Sequence, residues 1–187
     1  MLTYVIIGVI AVVVLFLIVV ALQPNDFRIS RTATMRAPAA AAFAQVNDFH
    51  HWERWSPWLK LDPNAKVTFS GAPAGEGAVY AWDGNKDVGA GSSTIVASRP
   101  NELVKIRLDF LRPFAATNTA EFSFKPVGDE TAVTWTMFGQ KNKFFFKVFH
   151  LCLNMDKMVG SQFEKGLADM KKIVEAESGR PVLEVTN

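Results

Sequence analysis

The chain has 187 residues, 49% of them hydrophobic and 20% charged, with 20 Lys and Arg against 18 Asp and Glu for a formal net charge of +2. That is enough for one domain and an appendage, and the near-balanced charge argues against nucleic-acid binding as a main role. Ordinary Gly and Pro contents exclude a low-complexity chain. The single cysteine, Cys152, excludes an internal disulfide framework and a multi-Cys metal site, and three histidines leave little for a His-rich centre. No metal and no cofactor is expected.

Residues Leu2 to Leu22 carry no charge. About 20 apolar residues, each rising about 1.5 Å, cross a hydrocarbon core of about 30 Å. Residues 1–23 therefore read as an uncleaved single-pass anchor, and residues 24–187 as the folded domain. A cleaved signal peptide fits less well, because no Lys or Arg precedes the run and Val19 to Pro24 is a weak cleavage site. A buried core helix would keep one polar face, and this segment has none. Arg28, Arg31 and Arg36 follow the span, so the positive-inside bias puts the domain on the cytoplasmic side.

After the span, Phe27 to Met35 alternates as an edge strand does, and Pro38 opens a short Ala-rich helix, Ala39 to Val46. Phe49 to Trp58 reads as a second short helix ending before Pro57. Six β-branched or aromatic runs then follow: Lys66–Ser70, Gly77–Asp83, Ser93–Ser98, Glu102–Phe110, Thr117–Lys125 and Thr131–Phe138. Gly-, Pro- and Asn-containing turns separate them, which predicts an antiparallel meander. Alternation puts Ile106, Leu108, Phe110, Phe122, Phe124, Val133, Trp135 and Met137 on one face and mostly polar residues on the other. From Asn154 to Ser178, Met155, Val159, Phe163, Leu167, Met170 and Val174 recur at helical spacing. This long helix, N-capped by Asn154, is the cover for the apolar face.

In this order of elements, particular residues carry a likeness. They are Ala37-Pro38 with Phe43 and Val46, and Asp48-Phe49 followed by Trp52, Trp55-Ser56-Pro57-Trp58. Gly75, Gly77-Ala78, Tyr80, Trp82, Gly84-Asn85, Gly89 and Gly91 continue it. Thr131, Val133-Thr134-Trp135, Met137, Gly139 and then Gly160, Phe163-Glu164, Gly166-Leu167 complete it. From about Phe27 to about Glu177 the chain resembles the START/SRPBCC superfamily, in particular its polyketide cyclase/dehydrase-like branch. The resemblance implies an α+β helix-grip fold, in which an antiparallel sheet wraps a long C-terminal helix over a hydrophobic cavity.

The residues expected to line that cavity are Tyr80, Trp82, Phe110, Phe122, Phe124, Trp135 and Met137 from the sheet, with Met155 and Phe163 from the helix. Aromatic and Met side chains with few polar anchors suit an apolar ligand. The same residues interdigitating as a dry core is the plainer alternative. Trp52, Trp55 and Trp58 fall on one side of a short helix, where packing against the sheet competes with a place at a pocket mouth. The segment Lys141 to Leu153, KNKFFFKVFHLCL, is basic and aromatic, so Phe144, Phe145 and Phe149 are membrane-interface candidates; a buried turn is the alternative.

Catalytic residues stay unassigned. His50 and His51 are adjacent and suit capping or solvation better than joint metal ligation, and Cys152 has no sequence neighbour that would activate it. The expected function is a membrane-anchored binding domain for a lipid-like, isoprenoid or polyketide-like molecule, its protein partner unknown. A cavity-templated cyclase or dehydrase is one alternative; a non-catalytic interaction or sensor module with a filled core is the other.

Overall fold

One strand precedes the two short helices and six follow them, and a computed structural model describes the chain at residues 1–140, 144, 147–148 and 154–179. Helix α1 spans Leu2–Ala21, and strand β1 (Asp26–Met35) begins four residues after Leu22 would close it. Helix α2 (Ala39–Asn47) leads through a 3-10 turn at Phe49–His51 into the one-turn helix α3 (Trp52–Trp55). Strands β2 (Lys66–Gly71), β3 (Ala78–Asp83), β4 (Ala90–Arg99), β5 (Leu103–Arg112), β6 (Ala116–Val127) and β7 (Glu130–Gln140) come next. Helix α4 (Met155–Ser178) closes the described chain. Its N-cap is Asn154, whose side chain accepts from the Lys157 backbone N–H at 2.9 Å.

The strands form one antiparallel sheet in the order β1-β7-β6-β5-β4-β3-β2. The meander is interrupted only where β1 pairs with the last strand, Asp26 opposite Gln140 and Met35 opposite Thr131. A bulge between Ile95 and Ala97 shifts the β4–β5 register, so both Ile95 and Ser98 keep an inward-facing partner, Ile106 and Val104.

Helix α4 runs beside β1 in the same direction. Near its start Arg31 donates to Glu164 at 2.6 Å and to Asp156 at 2.9 Å. Near its end the Arg36 backbone N–H donates to Glu175 at 2.8 Å, and Lys171 donates to the Thr34 carbonyl at 2.8 Å. Two glycines allow the helix this close. A Cβ on Gly160 would fall 2.1 Å from the Arg31 guanidinium, and one on Gly166 would fall 2.9 Å from the Trp135 ring and 3.0 Å from Pro57. Hydrogen bonds from Arg31 hold the Asp156 carboxyl below its ordinary range, and Lys60 with Lys172 does the same for Asp169.

The pair Trp52 and Trp55 has a definite task in this frame. Helix α2 ends with carbonyls that no helical N–H can reach. The Trp52 indole N–H donates to the Val46 carbonyl at 3.2 Å and the Trp55 indole N–H to the Gln45 carbonyl at 3.0 Å. Both rings are buried, so of the two readings of this tryptophan series, packing is what the fold uses. The structure shortens the second predicted helix: Phe49–His51 is 3-10 and only Trp52–Trp55 is α-helical. Asp48 causes this by accepting from the His50 backbone N–H at 2.9 Å and the His50 ring at 2.7 Å.

Candidate functional site

The register of the sheet sorts the residues that face α4 into transverse rows. One row runs Val104, Phe122, Trp135 and Arg31, with α4 over its β7 and β1 end and α2 over its β5 and β6 end. The next runs Ile95, Ile106, Ala120, Met137 and Ile29. A third crosses all seven strands as Phe69, Tyr80, Ser93, Leu108, Asn118, Gly139 and Phe27. A fourth, at the end of the sheet where β1 begins, holds Val67, Trp82, Gly91, Phe110 and Ala116.

The expected lining residues divide between these rows. Phe122, Trp135 and Phe163 come together under α4 as a sealed stack: Trp135 lies on Phe163 with ring centroids 4.0 Å apart and on Phe122 at 4.8 Å. Trp55 meets both Trp135 and Phe122 edge-on at 5.6 and 5.9 Å. All four are buried. Phe124 turns away to Phe43 of α2, 5.7 Å off. Tyr80, Trp82 and Phe110 form a second group. Tyr80 stacks on Trp82 at 5.9 Å, and Trp82 meets Phe110 edge-on at 5.9 Å. Here Trp82 and Phe110 are only half-buried, as are Leu108, Phe27 and Met155. Met137, buried, lies one row further in beside Ile29. Trp52 joins the two groups, with centroids 6.4 Å from Tyr80 and 6.3 Å from Phe122.

Glycine makes the second group possible. The Trp82 ring lies against Gly91, where a Cβ would fall 2.7 Å from it, and the Trp82 indole N–H donates to the Val88 carbonyl at 3.1 Å. Gly139 likewise leaves room for Asn118 and Phe27, whose atoms would lie 2.2 and 3.0 Å from its Cβ.

Polar groups are sparse on this wall. The Tyr80 phenol is pushed up to about 12, by burial first and then by the charge of Glu53, so at neutral pH it is a neutral donor. Ser93 and Asn118 share its row and escaped the sequence reading. The signal was present for Asn118, which has the same parity as Phe122 and Phe124 along β6; as a polar residue in an inward position it breaks the apolar pattern. The Trp135 indole N–H and the Gln45 side-chain carbonyl are buried without a hydrogen-bond partner among the described residues. No three His, Cys, Asp or Glu side chains among the described residues converge as metal ligands.

Of the membrane-interface candidates, Phe144 is exposed, and Phe145 and Phe149 lie outside the described residues, as does Cys152. Lys147 donates to the Ala21 carbonyl at 3.2 Å, on the last turn of α1. That helix is the one described helix long and apolar enough to cross a membrane.

An antiparallel sheet with a long C-terminal helix laid on one face, and short helices after the first strand, is the helix-grip architecture. The chain belongs to the family described as polyketide cyclase / dehydrase and lipid transport, which matches residues 26–175. No curated protein matches the sequence. Among solved structures it is similar to a protein from Nitrosospira multiformis, at 18% identity and a TM-score of 0.58 over 82% of this chain and 100% of that one. It is also similar to the Aha1 dimer from Colwellia psychrerythraea, at 13% identity and a TM-score of 0.56 over 82% of this chain and 99% of that one. The di-domain ARO/CYC StfQ of the steffimycin biosynthetic pathway aligns at 10% identity and a TM-score of 0.59, over 83% of this chain and 53% of that one. At such identities the likeness is one of fold.

Proposed function

We propose that this protein binds an apolar small molecule, lipid-like or polyketide-like, on the sheet face beside the start of α4, while α1 holds it in a membrane with the domain on the cytoplasmic side. The observation that carries this reading is the contrast within one face. Beneath α4 the aromatic rings are sealed, whereas Trp82, Leu108, Phe110, Phe27 and Met155 are half-buried around a row bearing Tyr80, Ser93 and Asn118. Large apolar side chains with a few polar groups among them are what an apolar ligand with one polar end requires. The family's description, which includes lipid transport, points the same way.

Cyclase or dehydrase chemistry is the second reading, favoured by one feature: the Tyr80 phenol, kept protonated within the aromatic wall, is a general-acid candidate. In that case Tyr80→Phe abolishes turnover and leaves folding intact.

The test is solvent extraction and mass spectrometry of the full chain purified in mild detergent. A stoichiometric apolar compound, depleted in Phe110→Ala, is the expected result. A well-folded protein that carries no compound and takes up none from a panel of fatty acyl, isoprenoid and polyketide probes overturns the reading.

A further inference from the structure

The tip of the β5–β6 hairpin lies at one particular end of the sheet, and that end is fixed relative to α1. Phe27, the second residue of β1, is level with Gly139, Asn118 and Leu108 across the register. Leu111 lies three residues beyond Leu108 along β5, which at about 3.3 Å per residue carries the hairpin about 10 Å past the level of Phe27. The residues between α1 and β1, Leu22 to Asn25, span at most about 14 Å when fully extended. The hairpin tip therefore reaches toward the plane in which α1 ends. Lys147 adds an independent tie, since its ammonium sits on the Ala21 carbonyl at the C-terminal end of that helix.

The chemistry of this end matches its position. Leu111 is 66% exposed, Phe114 48% and Phe144 49%. Arg112, between the first two, pairs with Asp83 at the end of β3, and both stay exposed beside the apolar side chains. Turns at the opposite end of the sheet carry Arg99 with Glu102, and Asp129 with Glu130. Exposed aromatic and aliphatic side chains beside a membrane span belong to the headgroup–acyl boundary.

We infer that the domain docks on the bilayer that holds α1, inserting Leu111, Phe114 and Phe144 into its surface, so that the half-buried aromatic end of the sheet faces lipid. An apolar ligand then passes between membrane and site without crossing water. This rests on α1 being a membrane span, and the two are tested separately.

The full chain, with Cys152→Ser and one added cysteine, is labelled with an environment-sensitive fluorophore. It is reconstituted into phosphatidylcholine–phosphatidylglycerol vesicles containing brominated acyl chains. Flotation after alkaline washing reads the span; emission and bromine quenching read the depth of the label. The Leu111→Cys label is expected to be blue-shifted and quenched several-fold more than a Val127→Cys label at the opposite end, with a label at Phe144→Cys behaving like the first. Chain that floats but shows Leu111 and Phe144 labels as water-exposed as the Val127 label overturns the docking and leaves the span standing. Chain that fails to float overturns both.

Discussion

Two ends of one sheet face differ in how they are covered, although both are aromatic. Under α4, Trp135, Phe122 and Phe163 stack at van der Waals distance and leave no face to solvent. Toward the start of β1, Trp82, Phe110 and Leu108 lie on the same face with part of each side chain open. The helix accounts for the difference. Arg31 and Arg36 hold α4 along the edge strand β1, so its apolar stripe meets the sheet at Trp135 and leaves β3 and the distal half of β5 to other elements. Aromatic content alone thus identifies neither a core nor a site; what lies on top of the ring decides.

The comparison breaks most visibly at the sealed end. Trp135→Ala removes the ring that touches Phe122, Trp55 and Phe163, and should cost about 3–5 kcal/mol in denaturant unfolding. Phe110→Ala, half-buried, should cost clearly less while lowering ligand occupancy; equal losses from the two variants would erase the distinction. Next, Gly166→Ala sets intrinsic helix propensity against close packing. Rigid ring atoms of Trp135 and Pro57 stand where its Cβ would go, so overpacking of about 1–3 kcal/mol should outweigh a propensity gain of roughly 1 kcal/mol, and the melting temperature should fall.

Arg31→Ala tests what holds α4 at this edge. Asp156, held below its usual range by the Arg31 hydrogen bonds, stabilises the fold only while ionised. Its share is fully present above the ordinary aspartate pKa and is lost as pH falls through the lowered folded value. The melting temperature of Arg31→Ala should therefore lie below that of the parent at neutral pH, with the gap narrowing below about pH 4. Smallest of all, Tyr80→Phe deletes one hydroxyl from the open wall. It should leave unfolding nearly unchanged and weaken a ligand that accepts its hydrogen bond by roughly 1 kcal/mol, read by fluorescence titration.

Much of this molecule was legible in local pattern. Alternation located β1, β-branched and aromatic runs between turns located the other six strands, and helical spacing located α4 with its Asn154 cap. The chargeless stretch before Gln23 and the family resemblance were equally plain in the residues. Pattern could not say which aromatic residues would be sealed, since Trp135 and Trp82 look alike along their strands. Nor did it show that Arg31, one of the three arginines after α1, faces inward to clasp Asp156 and Glu164, or that Trp52 and Trp55 cap the end of α2. The row of Tyr80, Ser93 and Asn118, and the hairpin tip at the end nearest α1, appear only when the strands take their register. The amino-acid sequence determined the elements and their apolar faces, because those depend on neighbours within a few residues. The tertiary structure decided which part of the shared face α4 covers and which it leaves open, because helix placement is set by contacts more than a hundred residues apart.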